Sequence, residues 1–217
     1  MFIECICIIS VQITFNGHIF MQTEVENRKN IIVAGFDPPA SCNLGWSIFA
    51  TDNEGYGRMV NAGILYLPDG EGERLLCIRD FLIELVEKND INVMCFERAI
   101  GFGMAAVREM IGENTGVIKL VGADYGIKID ALATSSMALL FTGFGGKKDK
   151  EGNAKKTRTK RVARDIFYPG QSFKQISSHN NKENFEHQAD AIGFCTAYLL
   201  KEGIPVQGPG GTLYPKS

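Results

Sequence analysis

Residues 31–49 read IIVAGFDPPASCNLGWSIF, and they leave the chain few ways to begin a fold. The β-branched run Ile31, Ile32 and Val33 ends in Phe36 and Asp37. The pair Pro38-Pro39 then breaks the strand, and a second strand-like run starts at Gly45. One carboxylate, Asp37, therefore stands at the end of a buried strand. Alone it reads equally well as a turn former, since Asp bonds its own downstream backbone. A second acid would change that reading, because a carboxylate buried without a partner or a metal is costly.

The rest of the chain supplies candidates for that partner. Residues 45–51 and 58–67 read as two strands joined by the turn Asp52-Asn53-Glu54-Gly55, which makes an antiparallel meander. Leu75, Leu76, Ile78, Phe81, Leu82, Leu85 and Val86 have helical spacing over 73–88. Residues 91–96 return to a strand, and it ends in Glu97, a second acid at a second strand end. The spacing then predicts a helix over 104–125, a short strand over 128–133 and a brief helix capped by Ser135 or Ser136 that ends at Thr142-Gly143. A basic helix over 155–167 and a polar loop over 171–182 follow. A last helix, capped by Asn184 and running to about Lys201, turns Ala189, Ile192, Cys195, Thr196 and Leu199 inward. His187 and Asp190 lie three apart on it, so they project from nearly the same face.

With 217 residues and 45% apolar content, the chain can bury one substantial core, and a single domain over 31–203 is the simplest division. Residues 1–30 precede it as an extension. The first twenty are apolar but carry Gln12, Asn16 and His18, and they lack a basic start and a small-residue cleavage pattern. They suit neither a signal peptide nor a membrane span. An additional edge strand is the competing reading. Residues 204–217, rich in proline and glycine, read as an irregular tail. The six cysteines form no CxxC pair and no zinc spacing, and several sit in apolar runs, which suits a reduced chain in a cytoplasm.

The formal net charge is only −2, but it is unevenly spread. From Lys147 to Arg164 nine basic residues (Lys147, Lys148, Lys150, Lys155, Lys156, Arg158, Lys160, Arg161 and Arg164) face two acids, a local charge of +7. The remainder carries −9. Such asymmetry points to a docking surface for a polyanion, with a solvated charged loop as the alternative. The preceding Gly143-Phe144-Gly145-Gly146-Lys147-Lys148 is superficially like a phosphate loop. Phe141 and Lys148 stand where the Walker pattern needs Gly and Ser or Thr, so that reading fails.

Asp37, Glu97, His187 and Asp190 together are hard ligands that suit Mg2+ or Mn2+. Two such ions about 4 Å apart activate a water and stabilise the leaving oxygen of a phosphodiester. With the basic segment beside them, metal-dependent cleavage of nucleic acid is the favoured reading.

Four segments in order also resemble a known family. GFDPPASCNLGW resembles the Asp-Pro-Gly, Asn-x-Gly-Trp segment of the RuvC Holliday junction resolvases, in the ribonuclease H-like superfamily. Phe96-Glu97 with Ile111-Gly112 and Thr115-Gly116-Val117 resembles that family's second acid and following helix. Thr142-Gly143-Phe144-Gly145 resembles its Thr-Gly-x-Gly turn, and His187-Gln188-Ala189-Asp190-Ala191 its closing motif. The likeness covers residues 31–200 and is nearest to forms carried by phages and other mobile elements. Pro39 departs from the family's Gly and must change that turn, since proline forbids positive φ.

The resemblance implies an α/β fold with a central mixed five-stranded sheet flanked by helices. It implies a homodimer in a bacterial or phage-infected host cytoplasm that resolves four-way DNA junctions by paired symmetric nicks. It assigns Asp37, Glu97, His187 and Asp190 to two metal ions, and the basic residues from Lys147 to Arg161 to DNA. Counting from Glu97 puts Ile100 at the junction-wedging position, with Phe102 as the better stacker. A less specific branched-DNA or flap endonuclease, and a catalytically silent DNA-binding module, remain open.

Overall fold

The computed structural model describes residues 30–38, 43–98, 104–146, 155–176 and 182–214, with the backbone alone at 155–156, 173–174 and 182–184. The chain builds one mixed sheet with helices on both faces. The meander is β1 (Ile32–Asp37), β2 (Asn43–Thr51) and β3 (Gly57–Tyr66), each antiparallel to the one before. The turn between β2 and β3 is held by Asp52, whose Oδ1 accepts from the amides of Glu54 and Tyr56. The Arg58 side chain bonds the same carboxyl and holds it below its ordinary range.

Helix α1 (Glu71–Asn89) carries the chain across to β4 (Val93–Glu97), and α2 (Ala105–Asp124) leads to β5 (Lys128–Leu132). Both new strands run parallel to β1. Because side chains alternate across a strand, Ala34 and Phe36 of β1 face one layer while Val33 faces the other. The first layer is α1 and α2, where Ile78, Leu82, Ile118 and Val121 close over Phe36, Met94 and Phe96. The second is α3 (Thr134–Thr142), α4 (Lys155–Phe167), the short α5 (Phe173–Ile176) and α6 (Lys182–Lys201), with Met137, Phe141, Ile166 and Ile192 in its core.

Several expectations are corrected. The sheet has seven strands in the order β5-β4-β1-β2-β3-β6-β7, two more than expected. The extra pair is the tail: β6 (Val206–Gln207) lies parallel to β3, and β7 (Leu213–Tyr214) returns antiparallel to β6. Residues 206–207 and 213–214 of the tail are therefore regular, contrary to expectation. Val206 is fully buried, and two-residue strands are too short to show an alternating pattern. Helix α3 begins at Thr134, so Ser135 and Ser136 lie inside its first turn rather than capping it. The helix α5 interrupts the loop expected over 171–182, and Asn184 lies within α6. That last helix is buried from Gln188 to Leu199, not along one stripe, because α3 and α4 cover the side turned away from the sheet.

Cys95 and Cys195 are buried thiols between β4 and α6, and Cys77 is a half-buried thiol on α1. Burial pushes the Cys95 thiol well above its usual value. Cys5, Cys7, Cys42, Pro39 and the N-terminal extension lie outside the described residues. Among the described residues no helix is long and apolar enough to cross a membrane.

Candidate active site

Asp37 is the last residue of the interior strand β1, and alternation from Phe36 turns it toward the α6 layer, where it is 8% exposed. Glu97 ends the adjacent parallel strand. The register pairs Phe36 with Phe96, so Asp37 and Glu97 stand side by side at one end of the sheet and on one face. Arg98 pins this end of β4 to β5 by donating its amide to the Leu132 carbonyl and its guanidinium to the Ala131 carbonyl.

Helix α6 reaches the pair because glycine lets it lie against the strands. A Cβ on Gly45, the residue paired with Asp37, would fall 2.0 Å from the His187 carbonyl oxygen. One on Gly35 would fall 2.4 Å from that of Ala191. No side chain fits at either place, so backbone packs on backbone. Ser47 secures the contact by donating its hydroxyl to the Ala191 carbonyl at 3.0 Å. The result is that His187 Nδ1 lies 2.6 Å from Asp37 Oδ2. If Nδ1 donates, the neutral ring carries its lone pair on Nε2. Asp190, one turn further along α6, is buried at the same end.

The sequence did not single out Thr134. Its hydroxyl bonds the Glu97 carboxylate from the first turn of α3, where the exposed amides of a helix start also favour negative charge. Position alone marks it, as the first helical residue after the strand next to β4. Gln188, beside His187, donates to the Tyr168 hydroxyl at 2.7 Å and so ties the end of α4 to α6. Burial pushes the Tyr168 phenol up to about 12.

The structure brings Asp37 and His187 into contact and places Glu97 and Asp190 at the same end. Among the described residues no three such side chains are already gathered as a ligand cluster. Glu97 is turned onto Thr134, and His187 and Asp37 onto each other. Three carboxylates, which are hard oxygen donors, and one borderline imidazole stand at this end on β1, β4 and α6, and that oxygen-rich chemistry fits a magnesium or manganese ion.

The expected DNA contacts divide. Lys147, Lys148, Lys150 and Phe102 lie outside the described residues, and Lys155 and Lys156 open α4 with only their backbone described. Arg161 is exposed on α4. Arg158 differs from expectation: it is 7% exposed, its Nη2 donates to the carbonyls of Phe144 (3.3 Å) and Gly146 (2.8 Å), and its guanidinium lies 4.8 Å from the Phe144 ring centroid. It is spent on the turn after α3 rather than presented to a phosphate. Lys160 is likewise paired, 3.0 Å from Glu186 of α6.

No family model and no curated protein matches the chain. Solved structures do. A Thermus thermophilus RuvC structure superposes with a TM-score of 0.61 at 17% identity, covering 80% of this chain and 98% of that one. T. thermophilus RuvC in complex with a Holliday junction substrate gives 0.60 at 16%, covering 79% and 94%. The yeast mitochondrial Holliday junction resolvase Ydc2 gives 0.50 at 13%, covering 77% of each. The chain has the fold of the RuvC resolvases, a mixed α/β sheet flanked by helices as the sequence led us to expect, with two strands more than expected.

Proposed function

We propose that the protein is a divalent-metal-dependent endonuclease that resolves four-way DNA junctions by paired, symmetric phosphodiester nicks. The observation that carries this reading is the pair of strand-end carboxylates, Asp37 and Glu97, closed over by α6 with His187 against Asp37, on a fold shared with RuvC. Asp37, Glu97, His187 and Asp190 would hold two Mg2+ or Mn2+ ions, which when bound supply water activation and stabilisation of the leaving oxygen. The chain's own part is to fix these donors on rigid elements. Gly45 and Gly35 set the depth of α6, Ser47 secures it, and Thr134 orients the Glu97 carboxylate. The basic stretch from Lys147 to Arg161, apart from Arg158 and Lys160, would bind the phosphate backbone.

Paired nicks need two sites, and a homodimer of this chain supplies them. The outward face of α2 is the surface we assign to it. Leu120 is 58% exposed there, one turn on from Gly116, and a Cβ on Gly112 or Gly116 would meet nothing within 4 Å.

The decisive experiment incubates the protein with end-labelled four-way junction, matched duplex and flap DNA in magnesium, manganese or EDTA, on a denaturing gel. Symmetric, metal-dependent nicks in the junction alone are expected. Equal cleavage of flaps replaces this reading with a general branched-DNA nuclease, and tight binding without cleavage replaces it with a silent binding module. Asp37→Asn, which removes a ligand and spares the basic surface, is expected to abolish nicking and leave junction binding within about twofold. Wild-type nicking by that variant would show the site to be elsewhere.

A further inference from the structure

We propose that Phe144 is a stacking platform for an unstacked nucleobase of branched DNA, and that Arg158 is the positioning residue that holds it. The inference rests on the nuclease reading above. Phe144 lies in the turn after α3 and is 37% exposed, yet contacts from α4 and from its own turn hold it. The turn leaves α3 through Gly143, whose φ of 73° is open to glycine at little cost. The Thr142 hydroxyl lies 2.7 Å from the Ala138 carbonyl and 3.2 Å from that of Phe144, tying the turn to the last turn of the helix. Arg158 then reaches from α4, bonds the carbonyls of Phe144 and Gly146, and lays its guanidinium over one face of the ring. Gly146 lies against the ring edge, where a Cβ would fall 2.6 Å from Phe144 Cε1.

The turn also returns toward the carboxylates. A Cβ on Gly145 would lie 2.9 Å from the carbonyl of Ser135, the residue after Thr134, which bonds Glu97. A half-exposed aromatic is thus held in one orientation beside the helix whose first turn carries Thr134, three residues before the basic segment begins. An aromatic fixed in this way stacks a base without first losing rotamer freedom, and stacking is indifferent to sequence. It favours DNA whose bases are already unstacked, as at a branch point, over continuous duplex. A ring that served only to cover the Arg158 side chain would have no effect on DNA choice.

The test is equilibrium binding, without cleavage in EDTA, of wild type, Phe144→Ala, Phe144→Trp, Arg158→Met and the double variant Phe144→Ala/Arg158→Met. The probes are a four-way junction carrying 2-aminopurine at the crossover and the matched duplex. Phe144→Ala is expected to weaken junction binding about tenfold, the scale of one lost base stack. Duplex affinity and the salt dependence stay as in wild type, and the 2-aminopurine quench seen with wild type is lost. Phe144→Trp keeps affinity and quench. Arg158→Met shows the same selective loss, and the double variant is no worse than either single one, because both changes remove one platform. Equal loss for junction and duplex, or junction binding by Phe144→Ala at the wild-type level, overturns the platform. A shallower salt dependence for Arg158→Met makes Arg158 a direct phosphate contact and overturns its positioning role. Should Arg158→Met fail to fold, the two Phe144 variants decide. A wild-type protein that binds neither DNA overturns the nuclease reading itself, whereas selective failure in the variants alone leaves that reading standing.

Discussion

Gly45 governs how near α6 comes to the strand that ends in Asp37. An alanine there drives its methyl into the His187 carbonyl, and the obstacle is backbone, so nothing flexible can move aside. Gly45→Ala is expected to cost about 1–3 kcal/mol in urea unfolding and to depress nicking further, because His187 must leave Asp37. Gly72→Ala on α1, where a Cβ meets nothing within 4 Å, is the control and is expected to leave stability unchanged or raise it. Tyr168 gives a second prediction from a single group. Its phenol is pushed up to about 12 by burial, against about 10 in an unfolded chain. Below pH 10 both states keep the proton, so this group's contribution is fully present. Between pH 10 and 12 the unfolded chain ionises first, and stability falls as pH rises through the folded value. Two pH units at about 1.4 kcal/mol each make the loss about 2–3 kcal/mol. Tyr168→Phe, which has no proton to lose, is expected to flatten that part of the alkaline limb in denaturant titrations repeated from pH 9 to 12.

Elements with a sustained apolar period are legible in the sequence alone. Helices α1 and α2 differ from the spans their apolar spacing marked by one or two residues at each end, and α4 spans the basic run read as a helix. The strands ending in Asp37 and Glu97 were legible too, because a β-branched run halted by a charge has few other readings. What could not be read were contacts between elements far apart along the chain. Gly45 looked like the start of a strand, and only the fold puts it beneath His187. Arg158 looked like one more cation in a basic run, and only the position of the turn after α3 shows where its guanidinium goes. The tail escaped because Val206 and Gln207 pair with β3 over two residues, below the length at which alternation can be seen. Helix α2 carries the prediction proper to this scale. Gly116→Arg places a long cation on its outward face, where nothing within 4 Å opposes a Cβ and the monomer fold is unaffected. By sedimentation the wild type is expected to be a dimer and the variant a monomer with the same melting temperature. The two strands of a junction are then expected to be nicked singly rather than as a pair. A monomeric wild type would remove α2 from any role in assembly.

Charge is organised over the whole molecule, with +7 concentrated between Lys147 and Arg164 and −9 spread over the rest. Binding to a polyanion should therefore pass almost entirely through that segment, while the acidic remainder keeps DNA from adhering elsewhere. The structure limits how many of the nine cations can take part. Arg158 is buried against the Phe144 turn, Lys160 is paired with Glu186, and Arg164 lies 2.6 Å from Asp165. At most six remain for phosphates in each protomer. Each phosphate neutralised on duplex DNA contributes about −0.9 to the slope of log K against log salt. The slope per protomer is thus expected to be no steeper than about −5, rather than the −8 that nine free cations would give. Fluorescence anisotropy of a labelled junction between 50 and 300 mM potassium chloride measures it. A slope near −8 would mean that the pairs made by Arg158, Lys160 and Arg164 open when DNA binds. A flat response would mean that the segment is not the binding surface, whatever the strand-end carboxylates do.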